Sequence, residues 1–209
     1  MIVLVLASAS PARLATLRAA GVEPLVMVSG VDETQVAGVP PVELALQLAE
    51  LKCAAVADRD EVPAGALVLG CDSVLELDGE PFGKPEDAAT ARERWRTMRG
   101  RSGVLHTGHA LREVRREGDR VAAATASTVV HFADLSDDEI DAYVATGEPL
   151  QVAGAFTVDG LGGAFVTGIE GDHHNVVGVS LPLLRDLVAE LGHPWTSLWS
   201  APLSSECSP

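Results

Sequence analysis

The sequence predicts an α/β fold with a mixed β-sheet, and three observations support this prediction. Apolar runs of strand length alternate with segments of helical periodicity, which is typical of strand–helix units. Other runs are joined by short polar turns, at 78–79 and 116–119, which predicts antiparallel hairpins in the same sheet. The 209 residues are 47% hydrophobic, enough to form the core of one compact domain. We assign residues 1–199 to that domain and expect the Ser/Pro-rich tail, 200–209, to be frayed.

Local signals define the elements in the first half of the chain. The continuous apolar run at 2–7 is typical of a strand that is covered on both faces. Ser10 can cap the helix that follows, Pro11 suits its first position, and Gly21 ends it. The predicted elements are strands at 2–7, 25–28 and 66–70 and helices at 11–20 and 41–58.

Turn and capping signals define the second half. Asp78-Gly79 is a favoured two-residue hairpin turn, and Ser136 with Glu139 forms a capping box at a helix start. The glycine-rich segment 160–163 is predicted to be a loop before the last strand. The predicted strands are 74–77, 80–82, 104–114, 121–132 and 164–169, and the predicted helices are 86–98, 136–147 and 180–191.

The charge and the cysteine content exclude several classes of protein. A formal net charge of -15 disfavours binding to nucleic acid, which normally needs a basic face. No apolar stretch approaches the ~20 residues of a membrane span, and the apolar start lacks the basic residue of a signal peptide. Cys53, Cys71 and Cys207 are too few and too scattered for a disulfide framework or a zinc site. We expect reduced thiols in a cytoplasmic protein without membrane or nucleic-acid partners.

The first candidate site is an anion site at the start of the first helix. Unpaired N–H groups and the positive end of the helix dipole favour a phosphate there. Ser8 and Ser10 add hydroxyl donors, and Arg13 adds a planar fork of donors. An ordinary helix cap with a surface arginine is the alternative.

The second candidate is Asp72, predicted to lie just past the end of an apolar strand, where α/β folds place ligands and catalytic groups. Its carboxylate could hold a magnesium ion or orient a water molecule, and a turn aspartate is the alternative.

Only two of the 15 basic residues are lysines, Lys52 and Lys84. We therefore expect each lysine to have a role that requires a compact, mobile charge and that an arginine could not fill. The alternative is that the two lysines are placed by chance.

Other motifs carry less weight. The sequence has no P-loop and no nucleophile elbow, and its glycine-rich segment precedes a strand, which is the wrong order for dinucleotide binding. Asp172-His173-His174 could ligate a metal, but adjacent histidines on a loop are more often solvated.

Ten short motifs, taken in order, make the chain similar to a known family. They are Ser8-Ala9-Ser10-Pro11, Val31-Asp32-Glu33, Leu48-Ala49 with Lys52, Gly70-Cys71-Asp72-Ser73-Val74, Gly83-Lys84-Pro85, Gly100-Arg101 with Thr107-Gly108, Thr146-Gly147-Glu148-Pro149, Ala153-Gly154, Glu170-Gly171-Asp172 and Asn175-Val176-Val177-Gly178. Over residues 4–191 the chain resembles the Maf family of septum-formation-inhibitor-like nucleoside triphosphate pyrophosphatases. The resemblance implies an elongated sheet flanked by helices, with a substrate cleft between two lobes, in a protein that is often a homodimer.

The resemblance also implies an activity and the residues that carry it. The expected reaction is hydrolysis of nucleoside triphosphates, including non-standard ones, to a monophosphate and pyrophosphate by attack of water on the α-phosphate. The expected cofactor is Mg²⁺ or Mn²⁺. By position, Asp72 matches the catalytic carboxylate of the family. Asp72 and Glu33 together match its metal site. The residues that match the substrate side of its cleft are Ser8, Arg13, Lys52 and Lys84. A nucleotide-binding regulator of septum formation without turnover, or a phosphatase that releases orthophosphate, is the alternative.

Several positions depart from the family pattern. Ala12, Ser73, Gly103 and Val152 replace an arginine, a threonine, a histidine and a lysine. Asp159 replaces the glutamine that marks the branch acting on dTTP and UTP. An ionised Asp159 could instead accept the N1–H and the amino group of a guanine, which makes Asp159 a candidate substrate-binding residue. The alternative is that Asp159 faces water and the base is not selected.

Overall fold

The computed structural model describes residues 2–36 and 38–200. Its strands are β1 (Leu4–Leu6), β2 (Leu25–Val26), β3 (Leu67–Leu77), β4 (Glu80–Phe82), β5 (Ser102–Glu113), β6 (Arg120–Phe132) and β7 (Val166–Glu170). Its helices are α1 (Pro11–Ala19), α2 (Pro41–Ala57), α3 (Ala88–Met98), α4 (Asp137–Ala145), α5 (His173–Val177) and α6 (Leu181–Glu190). None of the helices in these two ranges is long and apolar enough to cross a membrane.

The seven strands form one open, mixed sheet in the order β2-β1-β3-β5-β6-β7, with β4 paired to β3. β1 runs parallel to β2 and to β3, whereas β3, β5, β6 and β7 pair antiparallel. Within the parallel part, β1 and the first half of β3 are buried on both faces, as their continuous apolar runs predicted, whereas both residues of β2 are exposed. The α/β prediction with a mixed sheet is therefore confirmed.

Three apolar clusters divide the molecule along β3. On one face of its first half, Leu67 and Leu69 pack with α1 and α6, and on the other face Val68 packs with α2. On the second half, Leu75 and Leu77 pack with α3 and α4 around Trp95, whose indole N–H donates to the Ala155 carbonyl (2.8 Å). The two halves of β3 thus carry separate cores, which agrees with the expected two lobes.

Most predicted elements are confirmed within a few residues, because their local signals operate as expected. Ser10 caps α1 by accepting the Arg13 N–H, and Ser136 with Glu139 forms a full capping box on α4. Asp78 and Gly79 both have positive φ, 55° and 84°, as a tight hairpin turn requires.

The structure corrects the sequence prediction in several places. The predicted strands at 66–70 and 74–77 are one continuous strand, β3, because β5 pairs with it without interruption from Leu67 to Glu76. The glycine-rich segment forms a 3₁₀ turn, Leu161–Phe165, before β7. Helix α5 was not predicted, because five residues are too few to show helical periodicity. The Ser200 N–H donates to the Gly21 carbonyl (3.0 Å), and the rest of the tail that we expect to be frayed, 201–209, lies outside the described residues together with Cys207.

Candidate active site

A gap in the pairing of β3 creates the candidate site. One edge of β3 pairs with β5 from Leu67 to Glu76. On the other edge, β1 covers Leu67–Leu69 and β4 covers Leu75–Leu77. Among the described residues no strand covers positions 70–74 on that edge, so the strand is open between the two lobes. Asp72 lies in the middle of this gap, which corrects the prediction that it follows the end of a strand.

The Asp72 carboxylate is buried and is contacted by a cation from α2. Its exposed fraction is 8%, and its Oδ1 accepts a hydrogen bond from the Lys52 ammonium. The same ammonium donates to Glu33 Oε1 at 2.6 Å, so two carboxylates converge on one positive charge. Burial raises the pKa of the Asp72 carboxyl above its usual range, while the charges of Lys52 and Arg13 act in the opposite direction.

Two glycines allow α2 to lie close enough to the sheet for this contact. A Cβ atom on Gly70 would lie 2.2 Å from the Ala49 carbonyl oxygen, and one on Gly108 would lie 2.2 Å from that of Ala45. Gly108 is the strand partner of Asp72 in β5. Because alternate residues of a strand share a face, Gly70, Asp72 and α2 lie on the same side of the sheet. The absence of side chains at both glycines thus places Lys52 over Asp72.

Arg13 reaches the same gap from the other side of the sheet and is largely occupied by protein atoms. Its Nε donates to the Gly178 carbonyl (2.7 Å), its Nη1 to Ser8 Oγ (3.2 Å) and the Cys71 carbonyl (3.0 Å), and its Nη2 to Ser73 Oγ (3.0 Å). A guanidinium has five N–H groups, so one is left for a ligand. Arg13 therefore supplies charge beside Asp72 and ties α1 to β3, but it cannot present a free two-pronged fork.

The two serines remain available as donors at the start of α1. Ser8 Oγ accepts the Ser10 N–H (3.2 Å), and Ser10 Oγ accepts the Arg13 N–H (3.4 Å). Each serine hydroxyl keeps its own hydrogen, which it can donate to a phosphate oxygen. Their position beside the open edge of β3 is consistent with the predicted anion site.

The structure does not bring the other two predicted residues into this cluster. Lys84 is exposed in the loop after β4, and within residues 2–36 and 38–200 it makes no hydrogen bond or ion pair. It lies on the side of the gap opposite β1. Asp159 is exposed and lines a groove with Thr16 and Ala19 of α1 and with His173 and His174. Asp159 thus lies on the α1 side of the sheet, whereas Lys52 contacts Asp72 from the α2 side.

Sequence reasoning missed the residue that organises the loop carrying Asp159. Both carboxylate oxygens of Glu148 act as acceptors: Oε1 for the Tyr143 hydroxyl (3.0 Å), the Thr157 hydroxyl (2.5 Å) and the Gly162 N–H (3.0 Å), and Oε2 for the Leu161 N–H (3.1 Å). These hydrogen bonds, against the opposing effect of burial, hold the pKa of Glu148 below its usual range. The motif Thr146-Gly147-Glu148-Pro149 was the available signal. The sequence does not reveal, however, which hydroxyl and N–H groups donate hydrogen bonds to an acidic residue in a turn.

Comparison with known proteins agrees with this geometry. Residues 3–191 match the family described as Maf-like protein. The chain belongs to the Maf family. It is 63% identical over 209 residues to a protein of Salinispora tropica named nucleoside triphosphate pyrophosphatase, which covers 99% of this chain and 91% of that protein. Proteins with the same name in Streptomyces coelicolor and Nostoc punctiforme are 59% and 50% identical, over 94% and 93% of this chain and 94% and 96% of their own lengths.

Two departures from the Maf pattern have structural explanations. Ser73 keeps the hydroxyl of the usual threonine, which accepts from Arg13 and lies 2.9 Å from the Thr107 hydroxyl. At Gly103 a Cβ atom would lie 2.9 Å from Leu75 Cδ1 and 3.0 Å from the Glu76 carbonyl oxygen. A side chain at position 103 would therefore require the Leu75 side chain to shift. Nothing in the structure explains Ala12 or Val152.

Proposed function

We propose that this chain hydrolyses nucleoside triphosphates to nucleoside monophosphates and pyrophosphate. The observation that carries the proposal is the convergence of Asp72, Glu33 and Lys52 at the open edge of β3, in a chain whose relatives are named nucleoside triphosphate pyrophosphatases. The expected homodimer and cytoplasmic location stay predictions.

Asp72 is the group that we assign to proton transfer. Its burial favours the neutral carboxylic acid and so makes the carboxylate a better proton acceptor than a solvated one. A buried acceptor at the open edge of β3 can take a proton from a water molecule as that water attacks phosphorus. The charge of the Lys52 ammonium acts against burial and favours the ionised form of this carboxylate.

Positive charge is arranged on both sides of Asp72. Lys52 approaches from α2 and Arg13 from α1, and the hydroxyls of Ser8 and Ser10 lie at the start of α1. Donors that are fixed before the reaction stabilise the charge that develops on the phosphates without further reorganisation. Lys84 would join them from the β4 side, since its flexible side chain is free to move.

We further propose that Asp72 and Glu33 hold Mg²⁺ or Mn²⁺. Oxygen ligands suit these hard cations, and the contact of both carboxylates with a single ammonium supports the proposal that one cation can lie between them. When bound, the metal would neutralise phosphate charge and favour ionisation of the attacking water. Lys52 would then be released to contact the substrate.

The test is a product analysis with a panel of purine and pyrimidine triphosphates. In ¹⁸O-labelled water, attack at the α-phosphorus puts the label into the monophosphate and leaves the pyrophosphate unlabelled. Activity should vanish with EDTA and return with Mg²⁺ or Mn²⁺. Release of orthophosphate would indicate a phosphatase, and tight nucleotide binding without turnover would indicate a regulator; either result would contradict the proposal.

A further inference from the structure

A second group of potential ligands lies at the start of α5. Asp172, His173 and His174 each offer one atom, and these atoms lie within 4.8 Å of one another. The sequence indicated solvated histidines on a loop, but in the structure both begin a helix. Their imidazole centroids are 3.9 Å apart, so both rings lie on the same side of the turn.

The backbone that carries these ligands is anchored to the sheet. Asn175 is fully buried, and the two hydrogens of its Nδ2 are shared among three acceptors, the carbonyls of Leu105 (3.1 Å) and Ala126 (3.3 Å) and Thr128 Oγ1 (3.1 Å). Thr128 Oγ1 in turn donates to the Asp172 carbonyl (3.0 Å). The ligand-bearing turn is therefore pre-organised by hydrogen bonds to β5 and β6, which lowers the entropic cost of binding an ion.

The Asp172 side chain has one oxygen without a partner. Its Oδ1 accepts the His174 N–H at 3.0 Å and lies 3.2 Å from His174 Nδ1. Its Oδ2 is buried and, within the described parts of the chain, has no hydrogen-bond partner. A buried carboxylate oxygen without a donor is unfavourable, and a bound cation would satisfy it.

We propose that Asp172, His173 and His174 form a binding site for a first-row transition-metal ion, namely Zn²⁺. Two imidazoles and a carboxylate are a typical zinc donor set, whereas Mg²⁺ prefers oxygen ligands alone. His173 is exposed and His174 is half-buried, so solvent can complete the coordination. The site lies in the groove beside α1, on the face of the sheet opposite α2, and is distinct from the Lys52–Asp72 pair.

The test uses tag-free, full-length protein that has been stripped with a chelator. Zn²⁺ is titrated calorimetrically in millimolar Mg²⁺, and Co²⁺ is titrated separately while its visible absorption is recorded. One equivalent of Zn²⁺ should bind, and Co²⁺ should give the absorption of a site with nitrogen ligands. His173→Ala and His174→Ala should each weaken Zn²⁺ binding by roughly tenfold or more. Because His173 is exposed, its variant should keep the wild-type circular dichroism and Tm.

Two control variants separate this site from the rest of the protein. His193 also lies near a carboxylate, Glu113 at 3.2 Å, but within residues 2–36 and 38–200 no third ligand lies beside it, so His193→Ala should bind Zn²⁺ as the wild type does. Asp72→Asn should do the same. Absence of Zn²⁺ binding, or binding that survives both His173→Ala and His174→Ala, would overturn the proposal. Loss of binding in Asp72→Asn alone would place the ion at the β3 gap and would also overturn it.

Discussion

Gly108→Ala is expected to damage both stability and activity, because α2 crosses β5 at this glycine. The new Cβ atom would lie 2.2 Å from the Ala45 oxygen, 2.4 Å from the Ala45 carbonyl carbon and 2.6 Å from Leu46 Cα. All three are backbone atoms of α2, so no side-chain rotation can relieve the overlap. An ordinary contact needs ~3.5 Å, and α2 must therefore retreat by about 1 Å.

The magnitude follows from that displacement. Overpacking of this kind costs about 1–3 kcal/mol of unfolding free energy. A shift of about 1 Å in a group that positions the substrate can lower activity by roughly 10²-fold, and Lys52 moves with α2. The measurements are urea unfolding and kcat/KM for pyrophosphate release at saturating Mg²⁺.

A matched glycine on another strand controls for the substitution itself. At Gly168 in β7 the nearest atom to a new Cβ would be His131 Cδ2 at 3.2 Å, which belongs to a side chain that can move. Gly168→Ala should therefore change the unfolding free energy by less than about 1 kcal/mol and leave kcat/KM unchanged. If Gly108→Ala folds and keeps kcat/KM within twofold of the wild type, the link between helix approach and the position of Lys52 is refuted.

Four further predictions concern single side chains. Asp72→Asn should lower kcat by about 10²-fold or more because it removes the proton acceptor, whereas the same change at the exposed Asp78 should not; comparable kinetics in both variants would contradict this assignment. Lys84→Arg should lower kcat/KM about tenfold if a compact ammonium is needed at the cleft, and wild-type kinetics would make the lysine incidental. Burial lowers the pKa of His109 from its usual 6.5 to about 4. Between pH 6.5 and 4 the unfolded chain therefore binds a proton at this imidazole, whereas the folded chain does not. The wild type should lose about 3 kcal/mol of stability over that range, and His109→Gln less; parallel urea midpoints for the two proteins would argue against it. Asp159→Gln should change the GTP-to-UTP ratio of kcat/KM by less than about threefold, because its groove lies on the other face of the sheet from Asp72; a guanine preference that weakens in the variant would restore Asp159 to base recognition.

The sequence alone determined the local elements of this protein. Ser10 and Pro11 start α1, the pair Ser136 and Glu139 starts α4, and Asp78-Gly79 turns the chain between β3 and β4. Each of these signals acts between residues that are at most four positions apart. For that reason the chain carries them whatever the rest of the fold does.

Only the tertiary structure decided which candidate residues meet. Lys52 reaches Asp72 because α2 crosses the sheet at Gly70 and Gly108, and the edge is open there because β1 and β4 stop short of each other. Asp159 was predicted with this group but lies beside α1 on the other face. These outcomes depend on strand register and on how closely a helix packs, which are set by contacts between distant segments and leave no periodic trace along the chain.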